Sequence, residues 1–176
     1  AIYARALLEA LGELSGQVEE VAIIFSDNGR AVWEFELGNI PNFSAPFSIY
    51  DNNNLFAPVA SGSAGFDTMF IVPCTMGTLG RIAGGTSSDL ICRSADVMLK
   101  ERRRLIVVPR ELPLSLIHIE NMRTVTLAGG IIVPASPSFY SRPSSIEGLV
   151  MTVIYRMIDL AGLELPHYRW GEVKSD

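Results

Sequence analysis

A chain of 176 residues, 48% hydrophobic and 19% charged, is long enough to bury a core and too poor in solvating side chains to be disordered. Its formal net charge of −5 argues against a basic nucleic-acid stripe, and no apolar run reaches the roughly 18 residues that a membrane span needs. Two cysteines, Cys74 and Cys92, are too few for a disulfide framework or a metal cluster, and they suit buried thiols in a reducing cytosol. So low a charge content points to a surface covered by other subunits. The mildly acidic total still leaves room for a phosphorylated ligand held by local arginines. No cationic leader precedes an apolar stretch, so no secretory signal is visible.

The elements read as alternating helices and buried strands. Tyr3, Leu7, Leu11 and Leu14 trace the apolar stripe of a helix over residues 2–14, with no capping residue in front of it. Val21 to Phe25 is a buried strand ending at Ser26, and a short helical stretch with Trp33 and Glu36 follows. Residues 43–54 are mostly loop, with a short strand near Phe47–Tyr50. Met69 to Pro73 is the next strand, and the segment from Cys74 to Ala83 opens a helix. A stronger helix covers 88–103, Leu105 to Pro109 is a strand, 115–128 a helix, and 130–134 a last strand. After a Pro- and Ser-rich loop, Ser144 is placed to cap a long helix reaching about Leu160. Continuous apolar strands alternating with helices specify an α/β fold with a parallel sheet covered on both faces, in a single domain over 1–176 with 162–176 as a carboxyl-terminal tail that docks or frays. Ligands of such sheets collect beyond the carboxyl ends of the strands, here Ser26, Cys74-Thr75, Arg110-Glu111 and the loop to Tyr140.

Several groupings at those ends could carry chemistry. The turn from Cys74 through Thr75, Met76, Gly77 and Thr78 offers hydroxyls and helix-start N–H groups to a phosphate or ribityl chain, and equally suits plain N-capping by Thr75. Ala60 to Ser63 is a small-residue turn that admits a close ligand and also reads as an ordinary loop. Asp89, Arg93, Asp96, Lys100 and Arg103 share one helix side, which reads as a solvated face with an Asp96–Lys100 pair. Arg102, Arg103 and Arg104 read as surface charge. Arg110 and Glu111 end a buried strand, where they need a partner or a ligand. Arg156 lies about 20° from Leu149 at the edge of an apolar stripe, where it snorkels to water or reaches an anion in a cleft. His118 reads as a satisfied helix residue. Neither it nor His167 has metal spacing, so no metal site is expected.

The wording of these segments resembles one family along nearly the whole chain. The run from Ile49 to Ser63, then Pro73-Cys-Thr-Met-Gly-Thr-Leu79, Arg93 to Arg103, Val108 to Leu114, Ile117 to Met122, Pro134 to Tyr140 and Arg169-Trp-Gly171 are similar to the flavin prenyltransferases of the UbiX family. The resemblance implies a Rossmann/flavodoxin-like three-layer sandwich whose first strand and glycine-rich loop are missing from the chain given. It also implies FMN, reduced, held by Ser26, Thr75, Met76, Gly77, Thr78 and Arg110. Tyr140, Arg156, Lys100 and Arg93 would hold the phosphate of dimethylallyl phosphate, with Trp170 walling the prenyl pocket. Glu111 would act as acid/base and Glu36 in proton removal. Gly77 departs from the lysine that many members carry. The implied assembly is a cytoplasmic homo-oligomer, often a dodecamer, with sites at subunit interfaces and prenylated FMN as its product for UbiD-type decarboxylases. Two alternatives stand beside it: an FMN-dependent decarboxylase of a cysteine-derived substrate, which would want a histidine before His118, and a non-catalytic flavin-binding accessory subunit.

Overall fold

The computed structural model describes residues 1–171. Among these, six helices and five strands follow in the order α1 (Ile2–Glu13), β1 (Val21–Phe25), α2 (Asp27–Leu37), β2 (Phe47–Asp51), β3 (Thr68–Cys74), α3 (Met76–Ala83), α4 (Leu90–Lys100), β4 (Arg104–Pro109), α5 (Leu116–Leu127), β5 (Ile131–Ile132) and α6 (Ile146–Ala161). Two short 3-10 turns, Pro58–Ala60 and Gly62–Ala64, lie between β2 and β3.

The strands pair in parallel, as their continuous apolar runs require. They form two sheets rather than one: β1 pairs with β2, and the order β3-β4-β5 makes the second. β4 is the centre of the molecule, with Leu105, Ile106, Val107 and Val108 fully buried. Its side chains alternate between two cores. Ile106 and Val108 meet α1 and α6 through Leu7, Leu11, Ile154 and Met157. Leu105 and Val107 meet α3, α4 and α5 through Leu79, Ala95, Met98 and Val125. That alternation produces the three layers. Ile106→Ala would open a cavity in the middle one, at a cost of about 2–5 kcal/mol.

Local chemistry sets the boundaries. Ser26, Thr75, Asp89, Ser115 and Ser145 each cap a helix by accepting from a backbone N–H of its first turn. The cap of α6 is therefore Ser145, one residue beyond the expected Ser144. The stretch around Trp33 is a full 11-residue helix, because Ser26 starts it and Gly38, at φ 82°, ends it. The last strand is only two residues long. Val133 and Ala135 still donate to Val107 and Pro109, at 2.8 and 3.0 Å, but Pro134 has no N–H to continue the ladder. Pro73 likewise shifts the β3–β4 register between Ile71 and Cys74.

The helix-side reading of α4 needs correction. Asp96 and Lys100 are solvated on that side, but Arg93 donates to the Ala60 carbonyl at 3.2 Å, and Arg103, just beyond the helix, to the carbonyls of Gly62 and Phe66 at 2.6 and 2.9 Å. The two arginines pin the 58–66 loop to the helix. Asp96 pairs with Arg93, and Lys100 with Glu101 rather than Asp96. A Cβ at Gly62 would collide with Glu101, so the small-residue turn accommodates α4. The tail docks through residue 171. Gln17 and Glu164 exchange two hydrogen bonds, at 2.8 and 2.9 Å, and Leu163 and Leu165 pack on the α1–α6 core.

Candidate functional site

A cleft of about 1390 Å³ opens between the two sheets, lined along its length by β1 and β3. At its carboxyl end Ser26, Thr75, Gly77, Thr78 and Arg110 come together, contributed by β1, β3 and β4. Ser26 Oγ accepts from the Gly29 N–H at 3.0 Å, and a side chain at Gly29 would press on that hydroxyl. Thr75 Oγ1 accepts from the Thr78 N–H at 3.2 Å and donates to Thr78 Oγ1 at 3.1 Å. Capping fixes both hydroxyls and leaves the N–H groups of Met76 and Gly77 at an α-helix start, where such groups have no intrahelical partner. The Met76 side chain is buried in the core, so only its backbone faces the site. Nothing but Thr75 Oγ1, 3.9 Å away, would meet a Cβ at Gly77, so the turn has room for a side chain there.

Behind this turn stands a charged support that the residue pattern did not reveal. Arg81 binds Asp89 and donates to Ser88 Oγ and Thr78 Oγ1, each at 3.3 Å. Asp89 in turn accepts from the Cys92 N–H at 2.9 Å. Burial pushes the Asp89 carboxyl up, but the Cys92 N–H and the Arg81 guanidinium together hold it below its usual value. Only the pairing of α3 with α4 brings these groups together. Burial raises the neighbouring thiols, Cys74 to about 12 and Cys92 to about 11, so both stay protonated at neutral pH.

Arg110 and Glu111 are exposed where β4 ends, and Glu111 Oε1 accepts from the Leu112 N–H at 3.2 Å. Glu36 is exposed in the last turn of α2, within electrostatic reach of Arg110. His118 completes a capping box with Ser115, as a satisfied helix residue should.

A second group assembles on α6 and its flanks. The Ser138 N–H donates to Thr152 Oγ1 at 3.0 Å, tying the Pro-rich loop one helical turn from Arg156. Tyr140, at the end of that loop, meets the Trp170 ring edge-on at 4.8 Å. Arg156 is two-thirds exposed and lies 4.0 Å from Asp159. Tyr140, Arg156 and Trp170 thus share one neighbourhood. Lys100 and Arg93 are engaged on α4, and neither they nor Glu36, Glu111, Tyr140, Arg156 and Trp170 line the cleft. Among the described residues no group of three His, Cys, Asp or Glu could hold a metal ion, and no helix is long and apolar enough to cross a membrane.

A parallel α/β core with hydroxyls, a helix start and an arginine gathered at the strand ends defines a nucleotide-type cradle. Residues 1–150 match the flavoprotein family, and the chain belongs to it. Within that family it belongs with the UbiX flavin prenyltransferases: it is 39% identical to the flavin prenyltransferase UbiX of Methanocaldococcus jannaschii over 177 residues, 98% of this chain and 93% of that protein. It is similar to AnUbiX (PadA1), solved in complex with FMN and dimethylallyl pyrophosphate, at a TM-score of 0.86 and 42% identity, covering 96% of this chain and 90% of that one. A dodecameric FMN-dependent UbiX-like decarboxylase from Escherichia coli O157:H7 matches at a TM-score of 0.78 and 36% identity, covering 87% of this chain and 84% of that one.

Proposed function

We propose that this protein transfers a dimethylallyl group from dimethylallyl phosphate to N5 and C6 of reduced FMN, giving prenylated FMN for UbiD-type decarboxylases. The observation that carries the reading is the convergence of Ser26, Thr75, Gly77, Thr78 and Arg110 on one cleft, with Tyr140, Arg156 and Trp170 grouped beside the last helix. The cradle suits FMN: capped hydroxyls and helix-start N–H groups at the strand ends match a ribityl phosphate.

Reduced flavin supplies the nucleophilic nitrogen and carbon. Everything else falls to the side chains. Tyr140 and Arg156 donate to the phosphate as it leaves, where negative charge develops and where fixed donors act most strongly. Trp170 and Tyr140 wall off water from the allylic cation. Glu111 passes a proton to the departing phosphate as the N5–C bond forms. The remaining alkene then takes up a proton on its inner carbon so that its tertiary carbon can bond to C6, and Glu36 takes the proton that C6 gives up as the fourth ring closes. Lys100 and Arg93 reach a donor across a subunit interface rather than within their own chain. Such an assembly fits the exposed apolar residues Phe35, Phe56, Leu112, Leu116, Ile117 and Phe139, and a dodecamer is the size the reading favours. Two buried free thiols support a cytoplasmic setting.

The test is anaerobic incubation of the protein with dithionite-reduced FMN and dimethylallyl phosphate, followed by mass analysis of the extracted flavin. A gain of one C5 unit is expected with reduced flavin and none with oxidised flavin. An unchanged flavin mass overturns the proposal, and release of carbon dioxide from a cysteine-derived substrate would replace it with decarboxylation.

A further inference from the structure

Asp159 lies two residues before the end of α6, with a side chain only 14% exposed, and none of the roles above uses it. Three partners converge on its carboxylate. Arg169 donates to both oxygens, at 2.8 and 3.2 Å, while His167 Nε2 lies 3.4 Å away and Arg156 Nη1 4.0 Å away. His167 is itself fixed, stacked on Tyr155 at 4.6 Å with its Nδ1 2.7 Å from the Leu165 carbonyl oxygen. The next residue after Arg169 is Trp170, which sits on Tyr140.

We propose that Asp159 is a positioning residue for the prenyl-donor site: by clasping Arg169 it fixes Trp170 over Tyr140, and its charge keeps Arg156 turned toward the same place. A two-point arginine–carboxylate contact sets direction as well as distance, so the clasp determines where the adjacent indole falls. Arg156 stands at the limit of contact and is two-thirds exposed. Its guanidinium therefore keeps N–H groups to offer an anion while its approach is held by the carboxylate. One acidic side chain thus joins the aromatic wall to the cationic donor, across a link ten residues long in sequence.

This proposal rests on the prenyl-transfer reading for its donor and on geometry alone for the clasp, so two measurements separate them. Proteolysis needs an extended stretch around the scissile bond, so the docked tail slows trypsin at Arg169, and intact mass reports the loss of residues 170–176. Asp159→Asn, which keeps the volume and loses the charge, is expected to accelerate that cleavage roughly 10-fold or more. The same variant should raise the KM for dimethylallyl phosphate about 10-fold while leaving FMN affinity and kcat near wild type. Arg169→Gln, at a half-exposed position, should reproduce the KM effect should Asp159→Asn fold poorly, and Arg169→Lys should recover part of it. Unchanged cleavage in Asp159→Asn overturns the clasp. Faster cleavage with an unchanged donor KM overturns the positioning role. Absence of prenyl transfer in the wild type sinks the functional reading instead, and the cleavage contrast still decides the clasp.

Discussion

The two ends of the candidate site are held in different ways. At the end proposed for the flavin the groups are hydroxyls locked by helix caps, and Arg81 and Asp89 buttress them from behind. At the end proposed for the donor the groups are exposed side chains, Tyr140, Arg156 and Trp170, carried by a loop, a helix and the tail, with Asp159 in contact with Arg156 and Arg169. The first end is organised by the backbone that folds it. The second is arranged side chain by side chain and remains open on its outer face. A ligand that binds first and stays suits the former, and a small donor that enters and leaves suits the latter.

The contrast can be broken most forcefully at Glu111. Glu111→Gln should slow prenyl transfer by about 100-fold or more, the usual range for a lost acid/base, with FMN titration unchanged. A matching loss of FMN affinity would mean that the two ends are not separable. Arg156→Ala comes next: donor binding, followed by calorimetry, should weaken by about 1.5–3 kcal/mol, roughly 10- to 150-fold, again with flavin binding intact.

Effects at the flavin end should register in stability as much as in binding. Thr75→Ala removes the cap of α3 and should lower unfolding free energy by about 1 kcal/mol while weakening FMN. The smallest expected effect is the pH response of Asp89. Its folded pKa is lowered, so its stabilisation is present above the ordinary carboxylate value and fades as pH falls through the folded value. Asp89→Asn should therefore lose melting temperature at pH 7 and converge on wild type in acid. A gap that persists below the folded value, where the wild-type carboxyl is protonated, would assign the effect to packing.

The same divide explains what could be read from the residues. Caps are local signals, so Thr75 and the ends of most helices were legible, and the apolar runs of β1, β3 and β4 announced a parallel core. The β2 strand was legible too, although in a polar loop. What escaped was pairing between distant segments. Arg93 and Arg103 look solvated at helical spacing because their partners, Ala60, Gly62 and Phe66, lie 33 to 41 residues away. Arg81 and Asp89 meet only once α3 turns into α4. Asp159 reads as one more polar residue near a helix end until the tail folds back upon it. The order of the strands was equally hidden, since it is a property of the whole chain.

The burial of β4 has a consequence for how the molecule breathes. β4 is hydrogen-bonded to a neighbour on each side and fully buried over residues 105–108. Amide hydrogen exchange should accordingly be slowest along β4, where amides open only with global unfolding, and faster in the largely exposed α2, which opens by local fluctuation. A flavin settling at the cleft's carboxyl end would then slow exchange first around Ser26 and Thr75, before any change reaches β4.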